Sequence, residues 1–221
     1  MLITAKNLEK IYGTGQGKVY GLYSTNLAIE AGETVAIVGN SGSGKSTLLR
    51  LLGGLDTPTS GSVFINEQDI FQLNEDDRSA IRRKYMGFIF QEFLLISVLS
   101  VYENITFPLS LNNQPIDKHF LRHVVDFLGL SDKLHRMPYQ LSGGEQQRTA
   151  IARAIITKPQ ILFADEPTGS LDEKNSLEVV NLLMELTKES KTALLLVTHN
   201  PDVAHSATRI VHMRDGQLID F

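Results

Sequence analysis

The sequence contains no cysteine, and none of its apolar runs approaches the roughly 20 residues needed to cross a bilayer. The first absence removes disulfides, thiolate metal sites and cysteine nucleophiles together, and it suits a reducing compartment. The second means that work at a membrane requires another chain to span it; stretches such as ALLLV, Ala193 to Val197, are far too short. Positive charge is not in excess either. A formal net charge of -4 and a pI near 5.9 supply no global field for nucleic acid, which is not an expected partner. The N-terminal MLITAKNLEKIYG lacks the apolar core and small-residue cleavage site of a signal peptide and alternates like a strand. There is no internal repeat and no low-complexity linker.

With 42% hydrophobic and 21% charged residues over 221 positions, the composition is that of one ordinary globular folding unit. Short apolar, β-branched runs alternate with helical periodicity: TVAIV (34–38) then KSTLLRLLGG, ILFAD (161–165) then SLEVVNLLMELTKES, and ALLLVTH (193–199) before the closing RIVHM and QLIDF. Buried strands separated by helices predict an α/β fold with a parallel-rich sheet. The N-terminus, SVFIN and GFIFQ add further strands. From 91 to 159 the pattern turns mainly helical, as an α-helical subdomain inserted in a core of residues 1–90 and 160–221.

Gly39-Asn-Ser-Gly-Ser-Gly-Lys-Ser46 fits G-x-x-x-x-G-K-[ST], and it lies between the TVAIV strand and the STLLRLL helix, as a phosphate loop must. Glycines let the backbone curl until successive N–H groups face phosphate; Lys45 then reaches the β- and γ-phosphates and Ser46 ligates Mg²⁺. The expected nucleotide cradle is Gly39, Asn40, Ser41, Gly42, Ser43, Gly44, Lys45, Ser46 and Thr47. The bland alternative, an ordinary Gly-rich turn, does not account for the full pattern in this context.

ILFADEP places Asp165 and Glu166 at the end of a buried strand, where open α/β sheets gather their ligands. Successive strand residues face oppositely, so the two carboxylates are expected to divide the work. Asp165 is the Mg²⁺ partner, directly or through water, and Glu166 the general base for the attacking water. Alone, such a pair is as often a cap or a turn; the upstream phosphate loop makes it specific. Gln91 after GFIF and His199 after ALLLVT are polar side chains at the same rim, within reach of a γ-phosphate or its water, although each taken singly is more often only a strand-end residue.

LSGGEQQR, 141 to 148, raises a different question. It opens a helix with two adjacent glycines, the poorest non-proline helix formers. Ser142 and Glu145 have capping-box spacing, and a helix start with bare N–H groups accepts an anion. Two other clusters have plainer readings. LNEDDRSAIRRKY is a solvated helix whose charges complement its dipole, and His119 with His123 lacks a nearby third ligand for a metal.

The ordered set GNSGSGKS, FQ, LSGGEQQR, ILFADEP, SLD (170–172) and TH resembles the nucleotide-binding subunit of ATP-binding cassette transporters, over 6 to about 216. The resemblance implies a P-loop NTPase core with an N-terminal antiparallel β region. It implies that Tyr12 stacks on adenine, that Gln91 senses Mg²⁺ and water beside the membrane partner, and that His199 contacts the γ-phosphate. It further implies that Ser142, Gly143, Gly144 and Glu145 face ATP held by a second copy in a head-to-tail dimer, with Asp172 communicating across the interface. LLGGLDTPTSG, PYQLSGGEQQR and ADEPTGSLD are similar to the lipoprotein-release, macrolide-exporter and antimicrobial-peptide-resistance group. The implied function is an ATPase subunit, cytoplasmic and peripheral on the inner face of the cell membrane, that drives a separate permease. A cell-division signalling cassette that transports nothing is the alternative. Asn40, where the group often has Pro, and Glu145, where the wider family has Gln, are departures that leave the chemistry intact.

Overall fold

The structure is a computed structural model that describes residues 1–171 and 173–219. Asp172, with its implied interface role, lies outside the described residues. In chain order the elements are β1 (Ile3–Tyr12), β2 (Val19–Ile29), β3 (Thr34–Val38), α1 (Lys45–Leu52), β4 (Ser60–Ile65), β5 (Gln68–Asp69), α2 (Glu75–Tyr85), β6 (Met86–Phe90) and α3 (Val101–Leu111). They continue with α4 (Lys118–Phe127), α5 (Gly143–Ile155), β7 (Ile161–Asp165), α6 (Glu173–Ser190), β8 (Ala193–Val197), α7 (Pro201–His205), β9 (Arg209–Arg214) and β10 (Gln217–Ile219). The chain forms two compact units, 1–82 with 193–221 and 83–192.

The first unit holds two sheets. β2, β1, β4 and β5 form an antiparallel layer in that order. β2 is the longest strand, and its half-buried alternation gives it no continuous apolar run to announce it. β3 lies between β8 and β9, parallel to both, and β10 pairs antiparallel with β9. Flanked on both edges, β3 buries Val35, Ala36 and Ile37 completely, and every residue of β8 is buried, as near-continuous β-branched and aliphatic strands require. α1 buries Leu48, Leu49, Leu51 and Leu52 on one broad face, opposite the exposed Arg50, as an amphipathic helix packed on a core does.

The second unit is mainly helical around the parallel pair β6 and β7. Phe88 and Phe163, partners in that register, stack with ring centroids 5.2 Å apart. α5 crosses β6 at Gly87, where a Cβ atom would stand 2.3 Å from the Ala154 carbonyl oxygen; only glycine permits that approach. α2 has no buried residue, in keeping with a solvated helix. His123 pairs with Glu189, Nε2 to Oε2, at 3.0 Å.

Candidate functional site

In the first unit, the loop between β3 and α1 is shaped by three glycines. Gly42 and Gly44 have φ of +77° and +99°, a region that side chains resist. At Gly39 a Cβ would lie 2.1 Å from the Met213 carbonyl oxygen, and at Gly44 it would lie 2.4 Å from the Gly21 carbonyl oxygen. Strands β9 and β2 therefore press the loop into a curl that only a backbone without Cβ can follow. Gly44 is also the N-cap of α1 and brings no side-chain oxygen, so nothing local competes for the first N–H groups of the helix. Lys45 is buried, and its Nζ donates to the carbonyls of Gly39 and Asn40, both at 2.9 Å. The ammonium thus ties the first two carbonyls of the loop to the start of α1. Ser43 Oγ is buried with no hydrogen-bond partner among the described residues. An orphaned hydroxyl, a cradle that Cβ atoms would fill and an uncapped helix start fit a polyphosphate chain.

The α1 C-terminus then places a side chain that the sequence did not single out. Gly54 takes φ +63°, Gly54 N–H donates to Leu51 O at 3.0 Å and Leu55 N–H to Arg50 O at 2.8 Å, a Schellman motif. The reversal delivers Asp56 to the end of β1. There its Oδ1 accepts from Lys10 Nζ at 2.7 Å and its Oδ2 accepts from the Tyr12 hydroxyl at 3.2 Å. Burial disfavours the Asp56 charge, but the Lys10 ammonium and the Thr57 amide outweigh it and hold the carboxyl below its ordinary value. Lys10 Nζ also stands 5.0 Å from the Tyr12 ring centroid. Tyr12 is 41% exposed, with its hydroxyl 3.4 Å from Thr47 Oγ1, so an anchored aromatic face stands beside α1. His199 belongs to this unit. β8 ends at Val197, two residues before it, and His199 is exposed ahead of Asn200, whose side chain caps α7.

In the second unit, β7 is buried along its whole length and ends on Asp165, 8% exposed. Glu166 does not continue the strand. Its φ of +45° places it in the left-handed region, so the chain turns and strand alternation no longer decides where the carboxylate faces. A non-glycine residue held there costs on the order of 1–3 kcal/mol and persists only when its surroundings impose it. Gly169 N–H donates to Glu166 O at 3.0 Å, closing the turn. Gln91, one residue past β6, is exposed; its carbonyl accepts from Ser170 Oγ at 2.9 Å, and its side chain lies where a Gly169 Cβ would be 2.9 Å away. The ADEPTGS turn and Gln91 therefore meet.

The helix that opens at LSGG starts where the capping box predicts. Ser142 is the N-cap, Glu145 N–H donates to Ser142 Oγ at 3.3 Å, and Glu145 Oε2 accepts from Ser142 N–H at 2.7 Å. That backbone bond is the main reason the Glu145 carboxyl lies below its ordinary value. Lys133 stands 3.6 Å away. Glu145 is thus engaged by its own helix end. A Cβ at Gly143 would be 3.3 Å from Leu171 and 3.8 Å from the Phe93 ring, so the first glycine is packed against the chain on either side of the Gln91 and ADEPTGS turns.

Two further residues organise this unit and carry no motif. Asn104 in α3, fully buried, donates through Nδ2 to the carbonyls of Ile96, Leu99 and Ser100 and accepts from Ile96 N–H through Oδ1 at 2.8 Å. Arg153 in α5 donates to the carbonyls of Phe93 and Leu94 at 2.8 and 2.6 Å. A polar residue inside an apolar helical pattern was the available signal for both.

The profile of the ABC transporter family matches residues 22–169. An uncharacterized ABC transporter ATP-binding protein of Methanocaldococcus jannaschii is 44% identical, with 99% of this chain and 98% of that one covered. The lipoprotein-releasing system ATP-binding protein LolD of Acinetobacter baylyi is also 44% identical, over 100% and 98%. The macrolide export ATP-binding/permease protein MacB of Hyphomonas neptunium is 43% identical across 99% of this chain, which spans 34% of that longer protein. Among solved structures, the dimeric post-hydrolysis state of the ATP-binding cassette MJ0796 bound to ADP and Pi superposes with a TM-score of 0.88 at 38% identity, covering 99% of this chain and 97% of that one. The chain belongs to the ABC transporter family, as an ATP-binding and ATP-hydrolysing cassette of the lipoprotein-release and macrolide-export type.

Proposed function

We propose that two copies of this chain close head to tail over two ATP molecules and, by hydrolysing them, move a separate membrane permease. Among the described residues no helix is long and apolar enough to cross a membrane, and the proposed place of work is the cytoplasmic face of the cell membrane, docked on that permease. The observation that carries the reading is the pair of phosphate-seeking helix starts, α1 at Gly44 and α5 at Ser142, on one chain. The first already has Lys45 and a complete loop for its own nucleotide. The second is surplus within a single copy and fits the γ-phosphate of ATP held by another, where Gly143 and Gly144 permit close approach of backbone to phosphate. Two solved structures of the cassette MJ0796, 38% and 39% identical to this chain, are dimeric, one of them with ADP and Pi bound. In MacB an ATP-binding part and a permease share one chain, as its name states.

In this mechanism Tyr12 stacks on the base, the 39–47 loop wraps the phosphates, and Lys45 turns from its own loop carbonyls to the β- and γ-phosphates. Ser46, Asp165 and Gln91 would hold Mg²⁺, which when bound neutralises charge on the transferred group. Glu166 takes a proton from the water whose oxygen attacks the γ-phosphorus; the bond to the β–γ bridging oxygen breaks, leaving ADP and phosphate. His199 donates a hydrogen bond to the γ-phosphate. Residues 1–90 and 160–221 act as the nucleotide core and 91–159 as a helical subdomain that carries the movement, with the stretch after Gln91 facing the permease. Reconstitution with a permease tests the reading: permease-stimulated ATPase activity that requires Lys45 and Glu166 supports it, and a Lys45→Ala chain as active as the unaltered one contradicts it.

A further inference from the structure

Immediately after Gln91 the backbone does something unusual. Phe93 and Leu94 have φ of +38° and +48°, two adjacent non-glycine residues in the left-handed region. Neither side chain supplies the reason: Leu94 is 53% exposed, and neither is Asn or Asp, the residues that tolerate this conformation through local hydrogen bonds. The turn is closed by the Leu94 N–H, which donates to the Glu92 carbonyl, and it is gripped from outside. One guanidinium, that of Arg153, donates Nη2 to Phe93 O at 2.8 Å and Nη1 to Leu94 O at 2.6 Å. Burial disfavours the charge of this guanidinium and moves it below its ordinary value, so the cation is kept out of water to make these contacts.

Arg153 lies in the last turn of the helix that begins at Ser142, and Gly143 at the start of that helix packs beside the Phe93 ring. The helix thus touches the segment after Gln91 at two points, its first residue and its Arg153. We propose that Arg153 is a positioning residue for the known reaction: by gripping the Phe93 and Leu94 carbonyls it fixes the turn that sets the place of Gln91, and it makes that turn move with the α5 helix. Two parallel donors on a rigid planar fork fix both distance and orientation. The adjacent Ile96–Ser100 stretch is held by Asn104 instead, so release of Arg153 frees the turn and leaves that stretch in place. The inference rests on the role given above to Gln91, and it assigns no contact between Arg153 and nucleotide.

The test compares the full chain with Arg153→Met, Arg153→Lys and Gln91→Ala, following amide hydrogen exchange, affinity for a fluorescent ATP analogue and turnover. Arg153→Met should speed exchange of the Leu94 amide at least tenfold, sparing the Ile96 amide bonded to Asn104. It should lower turnover about as much as Gln91→Ala does, with nucleotide affinity within twofold of the unaltered chain. Arg153→Lys, which keeps charge and stem, should fall between the two, and it decides the matter if the methionine variant fails to fold. Unchanged Leu94 exchange overturns the proposal, as does normal turnover in an Arg153 variant when Gln91→Ala is slow. If Gln91→Ala itself turns over normally, the role of Gln91 fails, and Leu94 exchange alone then decides whether Arg153 holds the turn.

Discussion

The Tyr12 hydroxyl donates to Asp56, and the same carboxylate binds Lys10, so the aromatic side chain at the end of β1 is tied to the residue just past the α1 Schellman turn. A stacking surface is useful only if it is already in place when the base arrives, because ordering a free side chain on binding costs roughly 0.5–1.5 kcal/mol. Asp56→Asn should therefore weaken ATP affinity severalfold and leave turnover at saturating ATP nearly unchanged. Tyr12→Ala should have the larger effect of the same kind. Equilibrium binding set beside saturation kinetics separates the two quantities.

Asp56 also makes a pH prediction. Its carboxyl lies below the ordinary value of 3.8 in the folded chain, so the unfolded chain binds its proton first as pH falls. The stabilisation is fully present above about pH 3.8 and is lost as pH drops further through the lowered folded value. In Asp56→Asn, the fall in thermal midpoint between pH 5 and pH 3, a window chosen around that value, should be smaller than in the unaltered chain. Parallel melting curves for the two chains across that window contradict the assignment.

Glu166 carries two opposed predictions. Glu166→Gln should keep ATP binding and lower turnover by roughly 10²–10⁴-fold, the usual contribution of a general base. Glu166→Gly should lose turnover as well and yet gain stability, by on the order of 1 kcal/mol, since glycine accepts φ of +45° without strain. Denaturant unfolding beside ATPase assays checks both. A glycine variant less stable than the unaltered chain shows that the left-handed turn is not strained.

At the phosphate loop, Gly39→Ala should abolish nucleotide binding, because its Cβ would stand 2.1 Å from the Met213 carbonyl oxygen. That atom belongs to strand backbone and cannot rotate away. Isothermal titration with ATP measures the loss. Alanine at Gly42, where no atom lies within 4 Å, should cost only the strain of a positive φ and weaken binding far less.

Several strands and helices were legible because TVAIV, ILFAD and ALLLV have short buried apolar runs, and Ser142 with Glu145 states a helix start outright. β2 was not, since its residues from 19 to 29 alternate irregularly and its partner β1 is bulged. Strand alternation does not extend to Glu166. It assumed an extended backbone, whereas the chain leaves the strand at Asp165. The partners of Asp56 and Arg153 were not legible for a different reason: Tyr12 and Phe93 are distant from them in sequence, and only the folded chain brings those pairs together. A motif reports the groups that face a ligand and is silent about those that hold them still.

Mixed dimers test most directly the proposal that the Ser142 helix start serves the ATP of another copy. Ser142→Glu sets a carboxylate at the helix start, and Lys45→Ala removes the phosphate-loop cation. With the two lesions on different chains, one composite site is intact and the dimer should retain about half of its ATPase activity. With both lesions on one chain and none on its partner, each site carries a lesion and activity should be nearly lost. Equal activity from the two pairings contradicts the division of the site between copies.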